Sequence, residues 1–208
     1  MSEFAVIIDM DKTTVPTWEF MSDVSQVLET EFNIDRDQFF GQIDGRHNTG
    51  QGNLRHYDFF EHLHTLGLDE DEVEGCILQS FKGRNYVYDD VPQFLNFLLS
   101  EVNPDLAVLL TYGEHRFQQL KYKCSPALAA LVCIDILEPK GEYLKERFAN
   151  YRGVIIDDKP IAALPISFKG VLLERDTSDP HRYGSLSQVQ DRWPEITRIS
   201  SSDTAMPL

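Results

Sequence analysis

The stretch Phe4-Ala-Val-Ile-Ile-Asp9-Met-Asp11-Lys-Thr13-Thr14 joins a five-residue apolar run to an acidic loop. An unbroken apolar run of this length suits a central strand covered on both faces. Asp9 and Asp11 then stand at its carboxyl end, where open parallel sheets hold their ligands. Two carboxylates this close repel one another. Without a cation, one of them keeps its proton to higher pH than a free Asp; with a divalent cation, the nearer one ionises fully. The pair suggests a metal site with a nucleophile beside a proton donor, and an acidic loop that caps the next helix is the plainer alternative.

Working outward, comparable apolar runs recur at Leu106 to Leu110, Leu131 to Ile136, Val154 to Ile156 and Val171 to Leu173. Helical spacing separates them: Val91, Phe94, Leu95 and Leu98, then Phe117 and Leu120, then Tyr143, Leu144 and Phe148. Strands alternating with helices predict parallel βαβ units. A short helix is predicted around Leu186 to Trp193, and the Ser-rich end from Ser200 to Leu208 adds nothing to the fold.

From Thr17 to Tyr86 the alternation breaks and a helical period dominates, as expected of an inserted helical module. Trp18, Met21, Leu28 and Phe32 share one helical face, with Pro16 tolerated at the first turn. Leu54, Tyr57, Phe60 and His64 give a second face, and Asp69 with Glu72 resembles a capping box. Between them, Gly41-Gln-Ile-Asp-Gly-Arg-His-Asn-Thr-Gly-Gln-Gly52 matches neither a Walker loop nor a dinucleotide fingerprint. Arg46, His47 and Arg55 make this the densest basic patch of the module, readable as solvated loop charge or as substrate contact.

Three further elements carry candidate chemistry. Asp157-Asp158 end the Val154 to Ile156 run, so two acidic strand termini converge, and oxygen-only ligands select a hard cation such as magnesium. Thr111 follows Leu106 to Leu110, with a hydroxyl placed to donate to a phosphoryl oxygen. Lys140 opens a helix after Leu131 to Ile136, and its ammonium could neutralise phosphoryl and nucleophile charge.

Composition sets the limits. The chain has 208 residues, 42% hydrophobic and 25% charged, an ordinary globular profile. Its 34 acidic residues against 19 basic ones leave a formal charge of -15. That field repels nucleic acid and anionic membranes, and an enzyme this acidic needs a cation to handle phosphate. Cys76, Cys124 and Cys133 form no CxxC pair and suit a reducing cytoplasmic setting. The apolar runs fall far short of the roughly 20 residues of a membrane span, and the first residues lack the positive charge of a secretory signal.

Together and in this order, these elements resemble the haloacid dehalogenase-like (HAD) superfamily of hydrolases, whose first motif is a hydrophobic strand followed by D-x-D-x-T. Asp9-Met-Asp11-Lys-Thr13 matches it, with Lys12 where many members have Gly. Thr111 falls where the second motif has Thr or Ser, and Lys140 where the third has Lys, with Lys145 and Lys159 as rivals. Asp157-Asp158 is a compact form of the fourth motif. The resemblance spans Phe4 to about Leu173. It implies an α/β, Rossmann-like parallel sheet covered by helices, formed by residues 1–15 and 87–199, with an inserted helical cap at 16–86 and a flexible tail at 200–208.

The resemblance also implies a magnesium-dependent phosphatase for a small phosphorylated metabolite. Asp9 would attack phosphorus, and Asp11 would protonate the leaving alcohol and then activate water. The metal site would draw on Asp9, the Asp11 backbone carbonyl, Asp157 and Asp158, while Thr111 and Lys140 hold the remaining charge. Arg46, His47 and Arg55 would touch substrate from the cap. Asp9→Asn is expected to abolish turnover, and Asp11→Asn to slow both steps while sparing the fold. A phosphomutase using the same aspartates and a non-catalytic metal- or phosphate-binding regulator are the alternatives. A dehalogenase is disfavoured, because a departing halide needs no acid such as Asp11.

Overall fold

The computed structural model describes residues 3–41, 43, 48–49 (backbone only), 56–175, 177, 179 and 182–198. Five strands form one parallel sheet: β1 (Phe4–Ile8), β4 (Ala107–Tyr112), β5 (Val132–Ile136), β6 (Arg152–Asp157) and β7 (Phe168–Leu172), in the order β5-β4-β1-β6-β7. The chain moves outward from β1 to β4 and β5, then returns to the other side of β1 with β6 and β7. Ligands of open α/β sheets bind at such a reversal of strand order, outside the carboxyl ends. The structure is thus the α/β, Rossmann-like sheet expected from the sequence.

β1 is apolar throughout because both of its faces are covered. Ala5 and Ile7 point into one core with Val108, Leu110, Ile155, Leu144 and Phe148, below α7 (Lys140–Arg147). Val6 and Ile8 point into the other, under α5 (Val91–Glu101), α8 (Leu186–Asp191) and α9 (Trp193–Ile196). The single helix predicted over Leu186 to Trp193 is therefore two, which meet at Arg192. β1 coincides with its apolar run and β5 lies within its own, while strand pairing carries β6 and β7 upstream of the hydrophobic stretch, to Arg152 and Phe168.

Between β1 and α5 lie α1 (Thr17–Phe32), α2 (Arg36–Gly41), α3 (Phe59–Thr65) and α4 (Glu70–Ser80). Asp69 caps α4 by accepting from the Glu72 N–H at 2.9 Å. Three expectations fail here. A two-stranded antiparallel hairpin, β2 (Asn48–Thr49) with β3 (His56–Tyr57), occurs where no strand was predicted. Tyr57 belongs to β3 rather than to a helical face, because Asp58 caps α3 by accepting from the Glu61 N–H at 3.0 Å and starts the helix at Phe59. Trp18 also leaves the predicted core face of α1 and is 64% exposed. Leu54, Arg46, His47, Arg55 and the segment 200–208 lie outside the described residues.

The core of this helical segment includes Phe20, Phe39, Phe59, Leu63 and Ile77, and it is completed by Phe117, Leu120 and Cys124 from α6 (His115–Lys123) and its end. Arg116 of α6 fastens the contact: it pairs with Glu70 at 3.1 Å, Asp71 at 2.5 Å and Glu74 at 2.7 Å on α4, and lies over the Phe60 ring. All three cysteines are free thiols. Among the described residues, no helix is long and apolar enough to cross a membrane.

β1 and β6 approach closely. A Cβ on Gly153 would overlap the Ala5 carbonyl oxygen and press the Phe168 ring at 2.8 Å. Gly153→Ala is therefore expected to destabilise the fold by roughly 3 kcal/mol, the upper end for overpacking. An unchanged urea midpoint would contradict this account of the strand contact.

Candidate active site

Register brings the acids together. Ile8 stands opposite Ile156, and the Asp9 N–H donates to the Ile156 carbonyl at 2.9 Å, so Asp9 and Asp157 emerge side by side. Carboxylate oxygens of Asp9, Asp157 and Asp158 lie within 4.8 Å of one another. Lys140, the first residue of α7, reaches between them: its ammonium bonds Asp9 Oδ1 and, at 2.6 Å, Asp157 Oδ2. The second Asp157 oxygen accepts the Lys159 N–H at 2.9 Å. Asp9 Oδ2 is buried without a hydrogen-bond partner.

Burial is the largest influence on Asp9. It raises the carboxyl to about 7; Asp157 and Asp11 add to the rise, and Lys140 opposes it. Burial also raises Asp157 against the pull of Lys140, and burial together with Asp9 raises Asp158. Burial pulls Lys140 down, but Asp9 and Asp157 outweigh it and hold the ammonium above its ordinary value. A pocket with more carboxylate than one lysine can neutralise, and with one orphaned oxygen, suits a hard divalent cation. Asp9 and Asp158 have the oxygens best placed to hold it, since both Asp157 oxygens are engaged.

Asp11 is separate from this cluster. Lys121 Nζ contacts both of its oxygens, at 2.5 and 2.6 Å, and Thr17 Oγ1 donates to Oδ1 at 2.6 Å. Burial would push Asp11 up, but Lys121 and these hydrogen bonds outweigh it and hold the carboxyl below its ordinary value. Lys121 is 1% exposed and was missed in the sequence. Lys121 stands four residues after Phe117, on the inward face of α6, with its ammonium over the Phe117 ring at 4.7 Å; that spacing was the signal that could have found it.

Thr111 lies within β4 and not after it, fully buried, and donates to Gln118 Oε1 at 3.0 Å. Gln118 Nε2 in turn donates to the Tyr112 carbonyl at 3.3 Å. A Cβ on Gly113 would overlap the Gln118 amide, which explains glycine there. Of the rival lysines, Lys145 pairs with Glu142 on the surface and Lys159 offers its backbone N–H to Asp157. Lys12 adopts φ 61°, the left-handed region where glycine carries no Cβ penalty. Lys12 is exposed at the site mouth.

Beside Asp11 lies a chamber of about 270 Å³, walled by Trp18, Met21, Tyr57, Tyr112 and Phe117, with Lys12 and Lys159 also on its surface.

No family model and no curated protein matches the sequence. Solved structures match its shape. A haloacid dehalogenase-like hydrolase of Burkholderia xenovorans LB400 aligns with a TM-score of 0.60 and 16% identity, over 93% of this chain and 99% of its own. The HAD-hydrolase YfnB of Bacillus subtilis, bound to magnesium, aligns with a TM-score of 0.58 and 12% identity, over 92% and 98%. A dehalogenase with an intermediate complex aligns with a TM-score of 0.55 and 16% identity, over 95% and 98%. The chain has the fold of the haloacid dehalogenase-like hydrolases.

The Lys121–Asp11 pair changes one expectation from the sequence. Asp11→Asn strands a buried ammonium, and breaking such a pair costs about 3–5 kcal/mol. Partial solvent access at Asp11 favours the lower end, so melting should fall on the order of 10 °C for a chain of this size. Asp11→Asn with Lys121→Met should recover most of that loss, because apolar packing often replaces a buried pair at little cost. Equal melting of Asp11→Asn and the native chain would show that the ion pair carries no stability.

The raised carboxyls give a second test. Asp9 binds its proton more tightly when folded, so the stability it lends is complete below its ordinary range and is lost as pH rises through about 7. With chelator, melting should fall from about pH 5 to about pH 8; millimolar magnesium should oppose the fall, with its largest effect at the alkaline end. A magnesium effect that is flat across that range would argue against cation binding at these acids.

Proposed function

We propose that this chain is a HAD-like hydrolase acting as a magnesium-dependent phosphatase on a small phosphorylated metabolite. The observation that carries the reading is the buried Asp9 oxygen without a partner, within a triad of carboxylates already bridged by Lys140. Magnesium would be held by Asp9 and Asp158, with the Asp11 backbone carbonyl and Asp157 beside them, and when bound it supplies charge neutralisation between nucleophile and phosphate.

The protein's own groups do the rest. Asp9 attacks phosphorus as the alcohol departs, giving an aspartyl-phosphate that water then hydrolyses. Lys140 holds the Asp9 carboxylate in position and offsets charge on the phosphoryl oxygens. Asp11, held ionised by Lys121, is placed to take a proton from the attacking water, and the Lys121 ammonium on both of its oxygens is the nearest source of the proton it relays to the leaving oxygen; general acid-base assistance of this kind is worth about 100 to 10,000-fold in rate. Thr111 acts through Gln118. Residues 16–86 serve as a cap over this site, with Arg46, His47 and Arg55 as its candidate substrate contacts.

Two of the similar solved structures are dehalogenases, and that chemistry shares the aspartate nucleophile. Three clustered acids favour phosphate over halide, since a haloacid brings no phosphoryl charge for a cation to offset. A phosphomutase would use the same pair of aspartates.

Release of inorganic phosphate from an aryl phosphate and from a panel of metabolite phosphates tests the reading. The native chain should release it with magnesium and lose at least about 1,000-fold with chelator or as Asp9→Asn, as expected when a covalent nucleophile is removed. Full activity in Asp9→Asn, or halide release from haloacids without phosphate release, would refute the assignment.

A further inference from the structure

The chamber beside Asp11 tells what kind of group leaves the phosphate. Asp11 sits on its wall, so on the phosphatase reading, on which this inference rests, the departing alcohol occupies it. Among the described residues of its wall, several polar groups are committed within the protein: both Asp11 oxygens to Lys121, the Thr17 hydroxyl to Asp11, the Gln118 amide to Thr111 and the Tyr112 carbonyl, and the Tyr57 hydroxyl to His62 Nδ1 at 2.6 Å. A sugar placed there would bury several hydroxyls against groups already paired, and each unpaired hydroxyl weakens binding.

Rings, with Met21 and Ile43, make up most of the apolar wall. Tyr57 meets Phe117 edge-on at 6.0 Å, Tyr112 meets His56 edge-on at 5.9 Å, and Trp18 leaves its indole 64% exposed at the rim. A group that enters the chamber would bury this indole on the first turn of α1. Lys12 and Lys159 lie toward Asp158, the phosphoryl side, so the charged and apolar parts of the wall are segregated. At about 270 Å³ the chamber is just below the roughly 300 Å³ where pockets for drug-sized ligands begin, a size for one ring with short substituents.

We propose that the substrate is a phosphate monoester whose alcohol carries a single aromatic ring, seated against Trp18, Tyr57, Tyr112 and Phe117, rather than a sugar phosphate.

Binding of benzylphosphonate and methylphosphonate to the native chain with magnesium, measured by calorimetry, isolates the ring from the chemistry. Benzylphosphonate should bind at least about tenfold more tightly, the advantage should shrink to about threefold or less in Trp18→Ala, and Trp18→Phe should restore it. Equal affinities, or an advantage unaltered in Trp18→Ala, would overturn the assignment. Acetyl phosphate has no ring and reports phosphoryl chemistry by itself. Magnesium-dependent hydrolysis of acetyl phosphate, lost in Asp9→Asn, together with no ring preference overturns the aromatic assignment alone. Ring preference without hydrolysis of acetyl phosphate overturns the phosphatase reading, and the substrate claim with it, through the chemistry and not through the chamber.

Discussion

Three carboxylates are crowded where β1 and β6 end side by side, and much of the surrounding architecture serves to hold them there. The Asp9 N–H bonded to the Ile156 carbonyl locks the register, and Gly153 lets the two strands approach. Burying that charge raises all three acids. One lysine from α7 bridges two of them and leaves one Asp9 oxygen unsatisfied. An incompletely compensated cluster is costly in a ligand-free fold and is what a cation site requires.

The two motif aspartates are separated by a single residue yet held in opposite electrostatic states. Asp9 points into the buried acid cluster and is raised; Asp11 points toward α6, where Lys121 and Thr17 hold it low. Without a cation this ordering is the reverse of what a nucleophile beside a general acid needs; a divalent cation at Asp9 and Asp158 would favour the ionised Asp9. The left-handed turn at Lys12, which follows Asp11, belongs to the same tight loop. Thr14 ties that loop down, its hydroxyl within 3.2 Å of the Asp9 and Met10 carbonyls.

The helical segment after β1 does not close a core of its own. Phe117, Leu120 and Cys124 complete it, and Arg116 pins α4 from the same helix that supplies Lys121 and Gln118. α6 thus bears on the inserted helices, on Asp11 and on Thr111 at once. A shift of this helix would alter both the chamber wall and the proton-transfer group, a mechanical link between substrate contact and chemistry.

The sequence by itself determined the sheet and the identity of the acids. An unbroken apolar run suits a central strand, alternating helical and strand periods suit a parallel sheet, and strand ends are local features that a motif marks directly. Asp9, Asp11, Asp157 and Asp158 were legible for that reason, whereas Lys140 rested on order and spacing with Lys145 and Lys159 as rivals, and only the structure puts its ammonium between Asp9 and Asp157. Only the tertiary structure decided what those groups touch. Lys121 is one of two lysines of α6 in the sequence until packing against α3 and α4 buries one of them beside Asp11, Trp18 looks like core until the chamber opens beside it, and Thr111 spends its hydroxyl on a glutamine seven residues away. Tyr57 left its predicted helix because one cap, Asp58, moved the helix start past it. Periodicity reports which face of an element is apolar; which partner that face meets, and which charge is left without one, depends on contacts between residues distant in the chain.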